Sequence, residues 1–144
     1  MKKSFKGIYR PANPKKYVGN VNNIIYRSLL ERRFMVYCDN NPDIIMWASE
    51  EISIRYYSPI DHKYHRYFPD FVIKTSKGKK LLIEVKPYRQ CQPPKPPKRK
   101  NKSFMYESLE YIKNTAKWSA AIKYCEDNGA EFKLITEKEL GVTF

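Results

Sequence analysis

The sequence is short of acid. It carries 15 Asp and Glu against 28 Lys and Arg, a formal net charge of +13 over 144 residues. An excess of that size speaks against a protein built to attract cationic partners. It points instead to a polyanion such as nucleic acid or an anionic membrane. Cysteine is scarce as well. Cys38, Cys91 and Cys125 stand far apart and form no CxxC pair, and their odd number argues against a disulfide framework. Folding in a reducing compartment is the simpler expectation. No run approaches the roughly 20 apolar residues of a membrane span, so no membrane partner is expected. The basic start MKKSFKGIYRPANPKK lacks an apolar stretch and is not expected to act as a signal peptide. Only five glycines are present, and none builds a GxxxxGK phosphate loop.

What is present fits one domain. Hydrophobic residues make up 42% of the chain, enough for a core. Residues 1–22 read as a basic N-terminal arm punctuated by Gly7, Pro11, Pro14 and Gly19, with Phe5, Ile8, Tyr9 and Tyr17 packing on the domain or against a partner. Residues 23–144 read as a single domain. Ile25, Leu29, Leu30, Phe34 and Cys38 recur at helical steps, so a helix is expected from Asn23 to about Asp39, stopped by Asn40-Asn41-Pro42. Asp43 to Ser49, with Trp47, reads as a short connection. Strands are expected over Glu51–Tyr57, over Tyr64–Lys74 with a bend at Pro69, and over Lys80–Lys86, with a tight turn at Ser76-Lys77-Gly78. A long helix is expected from about Phe104 to Asn128, then a strand over Glu131–Ile135. Thr136 and Glu139 form a capping-box pattern that would open a short last helix.

One segment is biased in composition. Residues 87–102 hold five of the ten prolines and six basic residues, Arg89, Lys95, Lys98, Arg99, Lys100 and Lys102, with no acid. Proline removes the helix and central-strand options, so a basic loop lying against a phosphate backbone is expected.

The chemistry is concentrated where two strands meet. A hairpin centred on Lys77 sets Asp70 directly opposite Glu84, about 5 Å apart by Cβ and on one face. Lys86, two residues beyond Glu84, shares that face. Two carboxylates so close repel unless a cation intervenes, and carboxylate oxygens suit Mg²⁺, with Mn²⁺ as its natural substitute. Lys86 would add a fixed positive charge beside an attacked phosphate. Glu31, just off the apolar stripe of the first helix, is a third candidate carboxylate. His62 and His65 read as turn and strand histidines, with Asp61 capping the turn. Tyr56, Tyr57, Tyr64 and Tyr67 read as core or rim. Trp118 reads as helix packing, with Lys117 and Asn114 near enough to face the cleft.

Tyr67-Phe68-Pro69-Asp70-Phe71, followed by Ile83-Glu84-Val85-Lys86-Pro87, resembles the PD-(D/E)xK nuclease superfamily. More closely the chain is similar to the head completion nucleases of tailed phages, themselves similar to the endonuclease subunit of heteromeric bacterial transposases. The resemblance extends over Tyr26-Arg27-Ser28 with Glu31, Asn41-Pro42, Trp47, Ser49-Glu50-Glu51, Lys117-Trp118, and Phe132 to Thr136 with Glu137. It implies an α/β fold, a restriction-endonuclease-like core with a mixed four-stranded sheet flanked by helices. It implies Asp70 and Glu84 as metal ligands, Lys86 as the catalytic lysine and Glu31 as the helix carboxylate completing the site. The transposase relatives carry Gln at the position of Glu84, so this chain has the commoner superfamily form.

The expected activity is metal-dependent endonucleolytic cleavage of DNA ends during phage head completion, before tail joining. DNA is the expected partner, bound by the loop cations and Lys117, and phage head or portal-neck proteins are expected neighbours. The virion, or the host cytoplasm during phage assembly, is the expected location. A repair, restriction or transposition nuclease of the same fold would share every site residue. A non-enzymatic DNA-binding or structural virion protein would explain the charge but leave Asp70, Glu84 and Lys86 unemployed.

Overall fold

A computed structural model describes residues 5–99 and 101–141. Its centre is a four-stranded sheet of β3 (Ile44–Ser49), β6 (Phe71–Thr75), β7 (Lys80–Val85) and β8 (Glu131–Ile135), in the spatial order β3-β6-β7-β8. β3, β6 and β7 run antiparallel, and β8 lies parallel to β7 after a crossover through helix α2 (Lys102–Asp127). This is the mixed four-stranded sheet expected from the sequence. The β6–β7 register pairs Phe71 with Ile83 and Val72 with Leu82, which sets Asp70 and Glu84 at the same end of the hairpin.

Alternation along β6 and β7 divides the interior in two. Phe71, Ile73, Leu81, Ile83 and Val85 pack on one face with Leu30, Phe34, Met35 and Cys38 of α1 (Leu29–Asn40). Leu82 and Val72 point the other way, against Trp118, Ala121 and Cys125 of α2. On that second face α2 also covers a separate hairpin of β4 (Ile54–Ser58) and β5 (Lys63–Tyr67), through Ile54, Tyr56 and Tyr67.

Four elements depart from the sequence expectation. The first helix begins at Leu29 rather than near Asn23, because Ser28 caps it, and Ile24–Tyr26 form strand β2, paired with β1 (Gly7–Tyr9). Asp43 to Ser49 is largely an edge strand of the main sheet, not a connection. Its register slips between Ile44 and Met46, a bulge that broke the alternation. The strand expected over Tyr64–Lys74 is two strands in different sheets, β5 and β6, separated at Pro69. Beyond Thr136 the chain makes turns and no helix through residue 141, although the Thr136–Glu139 capping bonds do form.

Residues within the basic N-terminal segment enter the core. Tyr9 and Tyr17 are buried, Tyr17 packs edge-on against Trp47 with ring centroids 4.7 Å apart, and the Tyr9 hydroxyl donates to Asp39 at 2.7 Å. The buried Asp39 carboxylate also accepts from the backbone N–H of Ala12 and of Asn13, at 2.7 and 2.9 Å.

Candidate active site

Asp70 sits one residue before β6, where the chain turns in from Pro69. Its Oδ2 accepts the backbone N–H of Val85 at 2.8 Å, so the carboxyl is held against the far end of β7. Its own carbonyl accepts from Glu50 N–H at 3.0 Å, which ties the end of β3 to the same corner. Glu84 is buried two residues beyond Leu82 and therefore on the α2 side of the sheet. Trp118 of α2 donates its indole Nε1–H to Glu84 Oε2 over a long 3.4 Å. The Tyr67 hydroxyl is buried beside Glu84 and, among the described residues, makes no hydrogen bond of normal geometry. Burial, with the charges of Glu84 and Asp70 beside it, pushes the phenol upward, so it remains protonated.

Burial likewise pushes the Asp70 carboxyl well above the usual carboxylate range, and the charges of Glu84 and Glu31 push it further. Crowded buried carboxylates of this kind are what a bound cation relieves. The donors are hard oxygens. Mg²⁺ commonly takes only one or two protein carboxylates and completes its shell with water and phosphate. Asp70 and Glu84 thus fit a divalent ion, although among the described residues no three His, Cys, Asp or Glu side chains converge on one point.

Glu31 approaches from α1 and is already engaged. Ser28 Oγ accepts the Glu31 N–H at 3.1 Å, and the Glu31 carboxylate accepts from the Ser28 hydroxyl at 3.3 Å and from Arg27 N–H at 3.2 Å. This is a variant of the capping box, signalled by Ser28-Leu29-Leu30-Glu31, in which the Glu31 carboxylate reaches Arg27 N–H rather than the N–H of the cap residue. Burial raises the Glu31 pKa, and the Arg27 and Ser28 donors offset part of that rise. The Arg27 guanidinium pairs with Glu50, a residue in the left-handed region at φ 54°.

Lys86 follows β7, anchored by its N–H to Ile135 O at 2.9 Å. Its side chain borders a groove of about 720 Å³ between residues 88–95 and the first half of α2, lined also by Tyr88, Arg89, Lys95, Tyr106 and Asn114. Residues 87–102 are not loop throughout: Tyr88–Cys91 form a 3-10 turn, and Tyr88 N–H is held by Glu137 at 2.7 Å. Lys98 and Arg99 are exposed, Lys102 is the first residue of α2, and Lys100 lies outside the described residues. Lys117 is half-buried, its Nζ 5.7 Å from the centre of the Tyr67 ring and 5.9 Å from that of Tyr56. Burial lowers its pKa, and repulsion from Lys113 and Lys86 lowers it further. The structure thus gathers Asp70, Glu84 and Tyr67 at one corner, with Lys86 and Lys117 close by and Arg89 and Lys95 along the groove. From sequence alone Tyr67 and Trp118 read as packing or rim residues, because their approach to Glu84 comes from the docking of α2 and the β4–β5 hairpin.

Over 141 residues the chain is 38% identical to the head completion nuclease of Enterobacteria phage T4, covering 95% of this chain and 94% of that protein. Residues 41–137, which hold β3 to β8 and therefore Asp70, Glu84 and Lys86, match the family described as TnsA-like endonuclease N terminal. The chain belongs to the TnsA-like endonuclease family.

Proposed function

We propose that this protein is a divalent-metal-dependent DNA endonuclease that acts on DNA ends during phage head completion in the infected host cell, before tail joining. The observation that carries the reading is the Asp70–Glu84 carboxylate pair, with Lys86 two residues on at the mouth of a groove edged by Arg89 and Lys95. Similarity to a head completion nuclease supplies the biological setting.

Asp70 and Glu84 would hold Mg²⁺, with Glu31 as a further carboxylate at the same corner. When bound there, a divalent ion would supply charge neutralisation for a phosphate and a more acidic water at neutral pH. Val85 N–H orients Asp70, and Trp118 orients Glu84, so neither carboxylate must be ordered at the moment of reaction. Lys86 places a positive charge by the phosphate as negative charge grows on its oxygens. Water attacks phosphorus and gives up a proton to solvent, the P–O bond to the 3′ oxygen breaks, and that oxygen takes a proton from solvent. Arg89, Lys95, Lys98, Arg99, Lys100, Lys102 and Lys117 would neutralise flanking phosphates without reading sequence. Phage head or portal-neck proteins would bring the packaged DNA end to the site.

Purified protein incubated with circular and linear DNA tests the reading. Nicking and linearisation with Mg²⁺ or Mn²⁺, abolished by chelator, are expected. Equal cleavage in chelator would remove metal dependence. Absence of cleavage under all conditions would remove the enzyme.

A further inference from the structure

The β4–β5 hairpin is a separate two-stranded sheet whose inner face, through Ile54, Tyr56 and Tyr67, is covered by α2. Its outer face carries Arg55 and Tyr57 from one strand and Tyr64 and Arg66 from the other. The register sets Arg55 directly opposite Arg66, and Tyr57 directly opposite Tyr64. Like charges opposite each other across a strand pair are destabilising. Among the described residues neither arginine has a carboxylate at ion-pair distance. The acid at the tip, Asp61, is spent on His65 at 2.6 Å and on Lys63 N–H at 3.1 Å.

The face is exposed and ordered. Tyr57 is 47% and Tyr64 60% accessible, yet their rings pack edge-on with centroids 5.2 Å apart. The Arg55 guanidinium lies over the Tyr64 ring at 4.1 Å from its centre, a cation–π contact that holds the side chain on this face. The tip is closed by His62 N–H to Ser58 O at 2.9 Å, with His62 at φ 56°. Folding alone does not call for two opposed arginines with no counter-charge on a rigid hairpin. An external polyanion supplies what is missing.

We propose that the outer face of the β4–β5 hairpin is a docking surface for the DNA phosphate backbone, distinct from the catalytic corner and from the basic loop. The proposal rests on the nuclease reading for its choice of DNA as the polyanion. Arg66 lies four residues before Asp70, and an extended chain of that length spans at most about 14 Å. The face would therefore grip phosphates on the same stretch of duplex as the one attacked. A two-stranded ribbon also matches the width of the DNA major groove.

The test is binding of a labelled duplex of about 20 base pairs, in chelator, across a salt series. Arg55→Gln/Arg66→Gln should flatten the slope of log affinity against log salt by about 1.8, two phosphate contacts at 0.9 each. Arg55→Lys/Arg66→Lys should retain the slope. The single change Arg66→Glu should weaken DNA binding and, by removing the cross-strand repulsion, raise the melting temperature by about 1–4 °C. Wild-type affinity and slope in the Gln pair would overturn the proposal, whatever their effect on melting. Cleavage by the wild type is measured separately. A protein that binds with a hairpin-dependent slope but never cuts would retain this surface and lose the nuclease reading.

Discussion

Asp70 is fastened to the residue that follows Glu84: the Val85 N–H donates to Asp70 Oδ2 at 2.8 Å, so the two carboxyls cannot drift apart without breaking the end of the β6–β7 hairpin. The same bond holds Asp70 where burial and the charges of Glu84 and Glu31 raise its pKa. A carboxyl whose folded pKa exceeds its unfolded value stabilises fully below the unfolded pKa and loses that contribution as pH rises. At neutral pH and without metal, Asp70 therefore opposes folding. Asp70→Asn should lower cleavage by at least about 100-fold, while raising the metal-free melting temperature at pH 7. That gain should shrink as pH falls and vanish only below the unfolded pKa of about 3.9, where Asp70 is protonated in both the folded and the unfolded chain. Mg²⁺ should raise the melting temperature of the wild type and not of the variant. Thermal melts with and without the ion decide it. A variant that cuts at the wild-type rate would take Asp70 out of the site.

Glu31 has two roles to separate. As a capping residue it serves α1, and under the proposed function its carboxylate near Asp70 would also serve the site. Glu31→Gln retains an acceptor for Arg27 N–H but loses the charge, so it should depress cleavage strongly with little change in melting. Ser28→Ala should do the reverse, costing about 1 kcal/mol of stability with cleavage largely kept. Equal cleavage by Glu31→Gln and the wild type would leave Glu31 as a cap and the site with two carboxylates.

The corner was legible in the sequence because the β6–β7 hairpin is regular. A glycine turn at Gly78 and unbroken alternation place Asp70 and Glu84 by counting alone. Where regularity fails, the reading failed. The bulge between Ile44 and Met46 hid β3, and Ile25, spaced like a helical residue from Leu29, drew β2 into the helix despite the Ser28 cap. Pro69 was read as a bend within one strand, but it separates two sheets. Nothing local marks Trp118 or Tyr67 as neighbours of Glu84. Their positions depend on α2 packing across the sheet, a contact between residues 34 apart for Trp118.

Those two neighbours make separable predictions. Trp118→Phe keeps most of the packing volume and removes the indole donor, so kcat should fall about 10-fold, equivalent to about 1.4 kcal/mol, with DNA affinity unchanged. Tyr67→Phe removes a buried hydroxyl that has no hydrogen-bond partner among the described residues. Stability should hold or rise, since an unsatisfied buried hydroxyl is costly. Cleavage should nevertheless drop several-fold if the hydroxyl donates to Glu84 or to the phosphate during reaction. Single-turnover rates at saturating DNA separate the two effects. Unchanged rates in both variants would return these residues to packing alone.

Asp39 governs acid stability away from the site. Burial pushes its pKa up, but donation from the Tyr9 hydroxyl and from Ala12 and Asn13 N–H outweighs that, and the net direction is down. A depressed carboxylate pKa contributes stability above the unfolded value of about 3.9 and loses it as pH falls through the folded value. Asp39 also clasps residues 9–13 to the end of α1, so its loss should release the N-terminal segment before the sheet melts. Lys16 reinforces the clasp by donating to the carbonyls of Asp39 and Asn41 at 3.1 and 2.8 Å. Asp39→Asn should cost about 3 kcal/mol, because it removes the charge from hydrogen bonds to a buried carboxylate. The variant should show a smaller loss of stability between pH 5 and pH 3 than the wild type. Hydrogen exchange should speed first at residues 7–13, with β6 and β7 protected as before. Uniform loss of protection across the sheet in Asp39→Asn would mean that the segment is part of one cooperative core and not a clasp upon it.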